Sequence, residues 1–496
     1  MTPRQRLTLL AAILGSGVAM IDGSIVNVAL PAIERDLGGG LAGQQWVSNA
    51  YLLALGSLIL IGGSLGDIFG ERRVFAIGVA AFGVVSIACA AAPTIGVLIA
   101  ARALQGAAGA LLTPSSLAII VAAFPPKARG AAIGSWTAWG GIAAIVGPLA
   151  GGWIVDQVSW RWIFAINVPL VLVTLGLILV AVPRTTRATG RHVDVLGAGL
   201  CALGLGGLVF ALIEQPHYGW RSPAILVPLV GGAVAFAAFL GYERRTAEPM
   251  LKLDLFARRN FAVGNLETLA MYAGLSILFF FLVIFLQQVA GYTALRSGLT
   301  TLPVTLVMFA LSRRFGALAD RYGPRLFMGA GPLIAAAGVL MLLGTGMHTS
   351  YVADLLPGLL VFSVGLSLTV APLTATVLAD ADESDAGIAS AINNAVARVA
   401  GLVGVSVIGV VVARTLVGDT FAANTESVRA FHQVVVICAA LLAAGGVAGA
   451  IGITNPRRVV QAEGCSGGYF AGAPQPAVDH GAVRPSTTST APILQE

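Results

Sequence analysis

The chain has 496 residues, 57% of them hydrophobic and only 10% charged, with a mean hydropathy of +0.88 and a net charge of +6. Soluble globular domains carry about 25% charge, so a water-facing protein with one large core is excluded. The charges are segregated and long uncharged runs lie between them, the pattern of an all-α polytopic membrane protein; a barrel would need short alternating strands, and none appear.

Fourteen apolar runs are long enough to span a bilayer. The first, residues 8–32, is too long and too charged at its centre for a cleaved signal peptide and reads as a retained span. It carries Asp22 in Met20-Ile-Asp-Gly-Ser-Ile-Val-Asn-Val-Ala-Leu-Pro31. An ionisable group inside a span is expensive and by default marks an ion or substrate pathway. Runs 45–64, 74–92 and 97–121 follow, and the fourth holds Arg102. Run five, 131–155, holds Gly134, Gly147, Pro148, Gly151 and Gly152, and run six covers 162–182. Runs seven and eight, 195–213 and 224–241, are Gly-rich and joined by a loop whose only charges are Glu214 and Arg221. Without that pair, twelve spans remain and both ends stay on one side. Runs nine to fourteen are 261–286, 298–318, 326–346, 352–378, 387–412 and 430–453; Glu267 lies in the ninth and Arg398 in the thirteenth. Residues 457–496 are polar and cannot bury enough surface to order themselves, which predicts a disordered cytoplasmic tail.

With both termini inside, 21 of the 29 Lys and Arg residues fall on the cytoplasmic side. Six fall outside (Arg35, Arg161, Arg221, Arg296, Arg414, Arg429) and two lie deep within spans (Arg102, Arg398), with Arg313 and Arg314 at the inner end of run ten counted as cytoplasmic. This asymmetry is the positive-inside signal. It orients a multi-pass protein of the cytoplasmic (inner) membrane and implies lipid contact but no nucleic acid. Cys89, Cys201, Cys438 and Cys465 form no pairing framework, the five histidines are scattered, and no phosphate-cradling loop appears. No metal site, cofactor or enzymatic chemistry is indicated, and no protein partner can be named.

Gly63-Ser-Leu-Gly-Asp-Ile-Phe-Gly-Glu-Arg-Arg73 after span two and Gly316-Ala-Leu-Ala-Asp-Arg-Tyr-Gly-Pro-Arg325 after span ten share the pattern Gly-x-Leu-[Gly/Ala]-Asp-x-x-Gly-x-Arg. Internal repeats of this kind build transporters whose substrate site lies between the repeats. The expected division is a six-helix half over 1–190, an inserted helix pair over 191–250, a second six-helix half over 251–456 and the tail over 457–496.

At ~1.5 Å per residue, Asp22 on an outward-running span and Arg102 on an inward-running one reach similar depth in the outer half of the membrane. Depth does not show contact. They form either a proton switch, with Arg102 setting the affinity of Asp22, or a structural pair fastening spans one and four. Glu267 reads as a second proton or cation site or as a solvated carboxylate of the inner vestibule. Arg398 needs a partner, Glu267 among the candidates, or it faces a water-filled cavity. In span five, Gly147, Gly151 and Gly152 permit close helix approach and Pro148 lacks a backbone donor, as a gating interface or as ordinary close packing. Gly63, Asp67, Gly70, Arg72 and Arg73, with Asp320 and Arg321 as counterparts, read as a breakable cytoplasmic latch or as plain topological anchoring. Trp46, Trp136, Trp139 and Tyr272 could stack on a lipophilic cation, although Trp is also common at membrane interfaces.

These stretches resemble a known family. Gly63–Arg73 is similar to the loop motif of the major facilitator superfamily. Leu98–Pro114 resembles its arginine-centred motif, and Gly134 through Gly147-Pro-Leu-Ala-Gly-Gly152 resembles its antiporter motif. Asp22–Pro31 and Ser159-Trp-Arg-Trp-Ile-Phe-Ala-Ile-Asn-Val-Pro169 are similar to stretches of the fourteen-span drug–proton antiporter branch. Three positions depart from these patterns: Glu71 in place of a basic residue, Ala143 in place of a glycine, and Ser24 in place of threonine. The resemblance implies a major facilitator fold and proton-coupled efflux of lipophilic, often cationic drugs or antibiotics by alternating access, with no cofactor beyond the proton gradient. It implies proton or substrate roles for Asp22, Arg102, Glu267 and Arg398, and gating roles for Gly134 and the span-five and loop residues. A proton-coupled metabolite importer on the same fold, or a non-transporting receptor or scaffold, are the rival readings.

Overall fold

The computed structural model describes residues 1–183, 194–246, 249–382, 386–418 and 420–455, and within them leaves out the side chains of Leu60, Asp67, Pro126, Lys127, Ala144, Ala386 and Gly387. Expectations for the Asp67 side chain and for residues 457–496 lie outside the described residues. No strand occurs among the described residues. Lipid offers backbone groups no hydrogen-bond partner, so each spanning segment satisfies its own as a helix.

The first helices are α1 (Pro3–Leu37), α2 (Gly40–Phe69), α3 (Glu71–Ala90), α4 (Ile95–Ala110), α5 (Leu112–Ala123) and α6 (Pro126–Gln157). They are followed by α7 (Trp162–Ala165), α8 (Asn167–Ala181), α9 (Val195–Tyr218) and α10 (Pro223–Glu243). The remainder are α11 (Arg259–Gln288), α12 (Ala294–Thr300), α13 (Leu302–Tyr322), α14 (Pro324–Leu340), α15 (Leu356–Ala379), α16 (Ala386–Ala413) and α17 (Thr425–Gly452). Thirteen candidate spans among the described residues are long and apolar enough to cross a bilayer, the third formed by α4 with α5 and the ninth by α12 with α13. With the 30-residue α2 they make the expected polytopic all-α membrane protein. Spans alternate in direction, so α1 begins and α17 ends at one face, the basal face; the other is apical.

Local chemistry sets several of these boundaries. Thr2 and Gln5 close a reciprocal capping box at the start of α1. Gly70 and Gly323, at matching positions of the two repeated loop motifs, have φ of +92° and +91°. That left-handed backbone turns α2 sharply into α3 and α13 into α14, and a side chain would strain it. The repeat therefore extends to backbone geometry.

In lipid, apolar burial does not drive helices together, and close packing does so instead. Helices α1–α8 form one bundle, with α1 against α5, α6 and α8 and α2 against α4. Helices α11–α17 form another, in which the rings of Phe285 and Phe431 stack 4.2 Å apart between α11 and α17. In the pair α9–α10 the backbones nearly touch. A Cβ added to Gly204 would lie 2.8 Å from the backbone nitrogen of Phe236. Helix α9 reaches both α2 and α16.

The two bundles meet chiefly at the apical side. Gln45 donates to the Val405 carbonyl at 2.6 Å, Asn49 to the Ser406 hydroxyl at 2.9 Å, and Gln287 to the Val28 carbonyl at 2.9 Å. Asp156, at the end of α6, accepts from the backbone N–H groups of Ala294 (2.9 Å) and Leu295 (2.8 Å), the first residues of α12. Toward the basal side, Gly130, Gly134 and Gly141 of α6 have nothing within 4 Å of an added Cβ. The molecule is closed apically and parted basally.

Candidate functional site

Asp22 and Arg102 meet. Their carboxylate and guanidinium are 2.5 Å apart, and both side chains are shut away from solvent, at 0% and 2% exposure. Arg102 and Gln105 lie three residues apart on α4 and so share a face. Asp22 Oδ1 accepts from Gln105 Nε2 at 2.9 Å and from Asn167 Nδ2 at 3.1 Å. Both amides also reach the Ser86 hydroxyl. Arg102 donates further to the Val47 carbonyl at 3.1 Å and to Gln105 Oε1 at 2.7 Å. Its guanidinium lies over the Tyr51 ring, 4.3 Å from the centroid. One carboxylate, with both oxygens occupied, thus ties α1, α4 and α8 together through charge-assisted bonds, the strong kind in a buried network; Asn167 Oδ1 is left without a partner. Gln105 and Asn167 were not singled out from sequence. Their signal was an amide inside an apolar span, one turn from Arg102 in the first case and beside Pro169 in the second.

Two neighbouring cavities, about 680 and about 320 Å³, lie between the bundles and share Leu52, Tyr272 and Arg398 in their walls. Asp22 lines neither. Tyr51 lines the larger one and carries Arg102 on its ring, so a single aromatic ring separates the ion pair from the cavity. The Tyr51 hydroxyl donates to the Ala19 carbonyl at 3.2 Å.

Arg398 does not pair with Glu267. Its guanidinium makes no hydrogen bond or ion pair with the described residues, and its Nε is buried without a partner. Of the two placements left open by the sequence, it takes the cavity. Glu267 is likewise not a water-facing vestibule carboxylate. It is completely buried, and neither carboxyl oxygen has a hydrogen-bond partner among the described residues. Glu267 points toward α14 and α17, where a Cβ on Gly449 would fall 2.6 Å from its Oε2. Its position near the start of α11 suggested access to interfacial water, but the glycines of α17 let that helix close over it.

The span-five glycines do different jobs. A Cβ on Gly147 would lie 2.0 Å from the Ser24 hydroxyl, and one on Gly151 would lie 2.3 Å from Ile25 Cγ1, so both serve packing on α1 within one bundle. Gly152 faces the other bundle, where an added Cβ would be 2.5 Å from Leu295 Cα. The Pro148 carbonyl lies under Gly298. A Cβ on Gly134 would meet nothing within 4 Å. The apical contact of Asp156 was missed from sequence, because an acid at a span end looks like an ordinary loop residue.

The loop motifs are open on the basal side. Arg72 donates to the Leu179 carbonyl at 2.9 Å, and Arg73 is exposed. Gly63 faces Pro114 at ordinary contact distance, and Glu71 is buried beneath Gly66. In the second copy Asp320 and Arg321 are exposed, with Arg321 5.4 Å from the Tyr322 ring centroid, and Arg325 donates to the Ala450 carbonyl. Trp46 leaves the cavity to donate to Glu214 of α9 at 2.7 Å, and Trp136 donates to the Ser16 hydroxyl at 2.7 Å. Trp139 is exposed; Tyr272 alone of the four aromatics lines the cavity. Among the described residues no cluster of His, Cys, Asp and Glu could hold a metal.

The family profile described as Major Facilitator Superfamily matches residues 12–405. The chain is 37% identical over 417 residues to the multidrug resistance protein Stp of Mycobacterium tuberculosis, covering 84% of this chain and 77% of that protein. It is 36% identical over 420 residues to the puromycin resistance protein of Streptomyces alboniger, covering 82% of each. It is 34% identical to the tetracenomycin C resistance and export protein of Streptomyces glaucescens, covering 84% of this chain and 77% of that one. Among solved structures, a bacterial homologue of the human lysosomal transporter Spinster, inward-facing and unoccupied, matches with a TM-score of 0.65 at 15% identity. That match covers 91% of this chain and 97% of the other.

Proposed function

Because the chain belongs to the Major Facilitator Superfamily, we propose that this multi-pass membrane transporter, not an enzyme, expels drugs or antibiotics from the cell in exchange for protons. Three relatives carry resistance or export in their names. The basal face is cytoplasmic, because the excess of Lys and Arg lies there, and both termini are therefore cytoplasmic. Residues 1–190 and 251–456 are the halves that rock, and 191–250 are an inserted pair. In the described conformation a compound enters the cavity from the cytoplasm or the inner leaflet while Asp156, Gln45, Asn49 and Gln287 keep the outer side shut.

Asp22 takes the proton. In the ionised form it holds Arg102, Gln105 and Asn167; protonation weakens its grip on the guanidinium, which then moves against Tyr51 and so reaches the cavity wall. Glu267 is a second proton-binding carboxyl in the other half. Each charge driven across gains about 2.3 kcal/mol per 100 mV of membrane potential, enough for concentrative export by one coupled proton. The loop residues Asp67, Arg72, Arg73, Asp320 and Arg321 come together when the cytoplasmic side closes, and Gly134 then meets the opposing half.

The observation that carries this reading is the position of Asp22, dry, fully paired and one ring from the cavity. The test is purified protein in proteoliposomes under an imposed pH gradient, with a panel of antibiotics and dyes and a record of lumenal pH. Substrate-evoked proton movement is expected in wild type and absent in Asp22→Asn. Undiminished movement in the variant would remove Asp22 from the coupling.

A further inference from the structure

We propose that Arg398 is the substrate-recognition point of the cavity, and that it selects compounds bearing a carboxylate or an ionised phenol on a flat apolar body. This rests on the efflux reading and narrows its substrate class.

Arg102 and Arg398 both lie deep inside the bundle, and they contrast. Arg102 is held by a carboxylate, an amide oxygen and a backbone carbonyl. Arg398, in the wall common to both cavities, has no acceptor at all among the described residues. A guanidinium presents five N–H donors in a planar fork matched to two-oxygen acceptors. Leaving that fork in a low-dielectric wall is costly unless something else satisfies it.

No described residue lining either cavity is an Asp or Glu. Asp22 is behind the Tyr51 ring and occupied by Arg102, and Glu267 is turned away toward α17. A cationic substrate would meet a positive charge here without a compensating carboxylate, whereas an anion would meet its complement. Tyr51 and Tyr272 stand beside Arg398 in the larger cavity, and Leu52, Leu55, Phe279 and Val283 supply an apolar surface for the rest of the molecule. The site has the composition of a ligand pocket, apolar walls with one decisive polar group.

The test uses three probes that share one ring system: anthracene-2-carboxylate, 2-(hydroxymethyl)anthracene and (anthracen-2-ylmethyl)trimethylammonium. Binding to the purified full-length protein is followed by fluorescence titration, and proton movement is recorded in proteoliposomes. The expected result is wild-type affinity for the carboxylate at least tenfold above that for the alcohol, with the ammonium weakest. In Arg398→Gln the carboxylate-to-alcohol ratio falls at least tenfold, and Arg398→Lys restores part of it. A wild-type preference for the ammonium, or an unchanged ratio in Arg398→Gln, overturns the proposal. The wild-type ranking needs no variant, so a poorly folding substitution does not protect the idea. If the alcohol or the ammonium evokes proton movement and the carboxylate binds no better, efflux stands and the anion subsite falls. If the carboxylate binds through Arg398 but no probe moves protons, the subsite stands and the antiport reading falls.

Discussion

Replacing Asp156 by Ala removes the acceptor for two backbone N–H groups that begin α12, and it does so only in the apically closed conformation. When the apical side opens, those N–H groups meet water and lose nothing. A side-chain acceptor at the start of a helix is worth about 1 kcal/mol, and a hydrogen bond to a charged group about 1.5–3 kcal/mol. Asp156 is exposed to solvent, which brings its two bonds toward the low end, for a total of about 1.5–2 kcal/mol. A loss of that size confined to one state moves the equilibrium at least about tenfold toward the apically open form. A protein about 95% closed would become about two-thirds closed. Nitroxide labels at Val97 and Val352, exposed positions near the apical ends of α4 and α15, in a cysteine-free background, would report this by pulsed electron paramagnetic resonance as growth of a longer distance. Asp156→Asn, which keeps one oxygen acceptor, should fall between. An unchanged distance distribution in Asp156→Ala would refute the assignment of Asp156 as a clasp on the apical closure.

Breaking the buried pair with Asp22→Asn should cost about 3–5 kcal/mol of stability as well as coupling, since Arg102 is left as an uncompensated charge; the double variant with Arg102→Gln should recover much of the melting temperature but none of the proton movement. Gly152→Ala should favour the apically open form in the same label experiment, because its methyl would meet the Leu295 backbone; a closed distribution like that of wild type would count against it. Gly147→Val should instead lower thermal stability by disturbing α1 against α6, with rate loss following from misfolding; a wild-type melting profile would contradict the clash with Ser24. Outside the membrane, Arg258 holds the carboxyl of Asp382 below its ordinary value near 3.8, chiefly by hydrogen bonding. A lowered folded value stabilises above the unfolded one and is lost as pH falls through it, so the small melting-temperature gap between wild type and Asp382→Asn should begin to shrink once pH falls below the ordinary value near 3.8 and vanish below the folded value; a gap that stays constant on acidification would deny the pair any role.

Depth along a helix is legible in a sequence, and direction around its axis is much less so. Rise per residue sufficed to bring Asp22 and Arg102 to one level, and the loop repeat foretold two matching glycine turns. The fourteen spans followed from length and hydropathy alone. Pairing Arg398 with Glu267 failed because the face each presents is decided by neighbours far along the chain: Gly445 and Gly449 of α17 receive Glu267, while the gap between bundles receives Arg398. The same holds for span five. Gly147, Gly151 and Gly152 look alike in sequence, yet two pack inside one bundle and one touches the other. Gly134 has open space around it in this conformation, and its expected gating role could be expressed only in another one.

The apical closure is made largely from side chains that grip backbone. Gln45 holds the carbonyl of Val405, Gln287 that of Val28, Asp156 two amide hydrogens, and Gly152 lies against the Cα of Leu295. The gripped positions contribute atoms that every amino acid possesses. Val405, Val28 and Ala294 can therefore drift to other residues of similar bulk without loosening the closure. Selection for new cargo can then reshape the facing walls of the cavity while the gate keeps time as before, which makes this architecture readily adaptable to unfamiliar toxins.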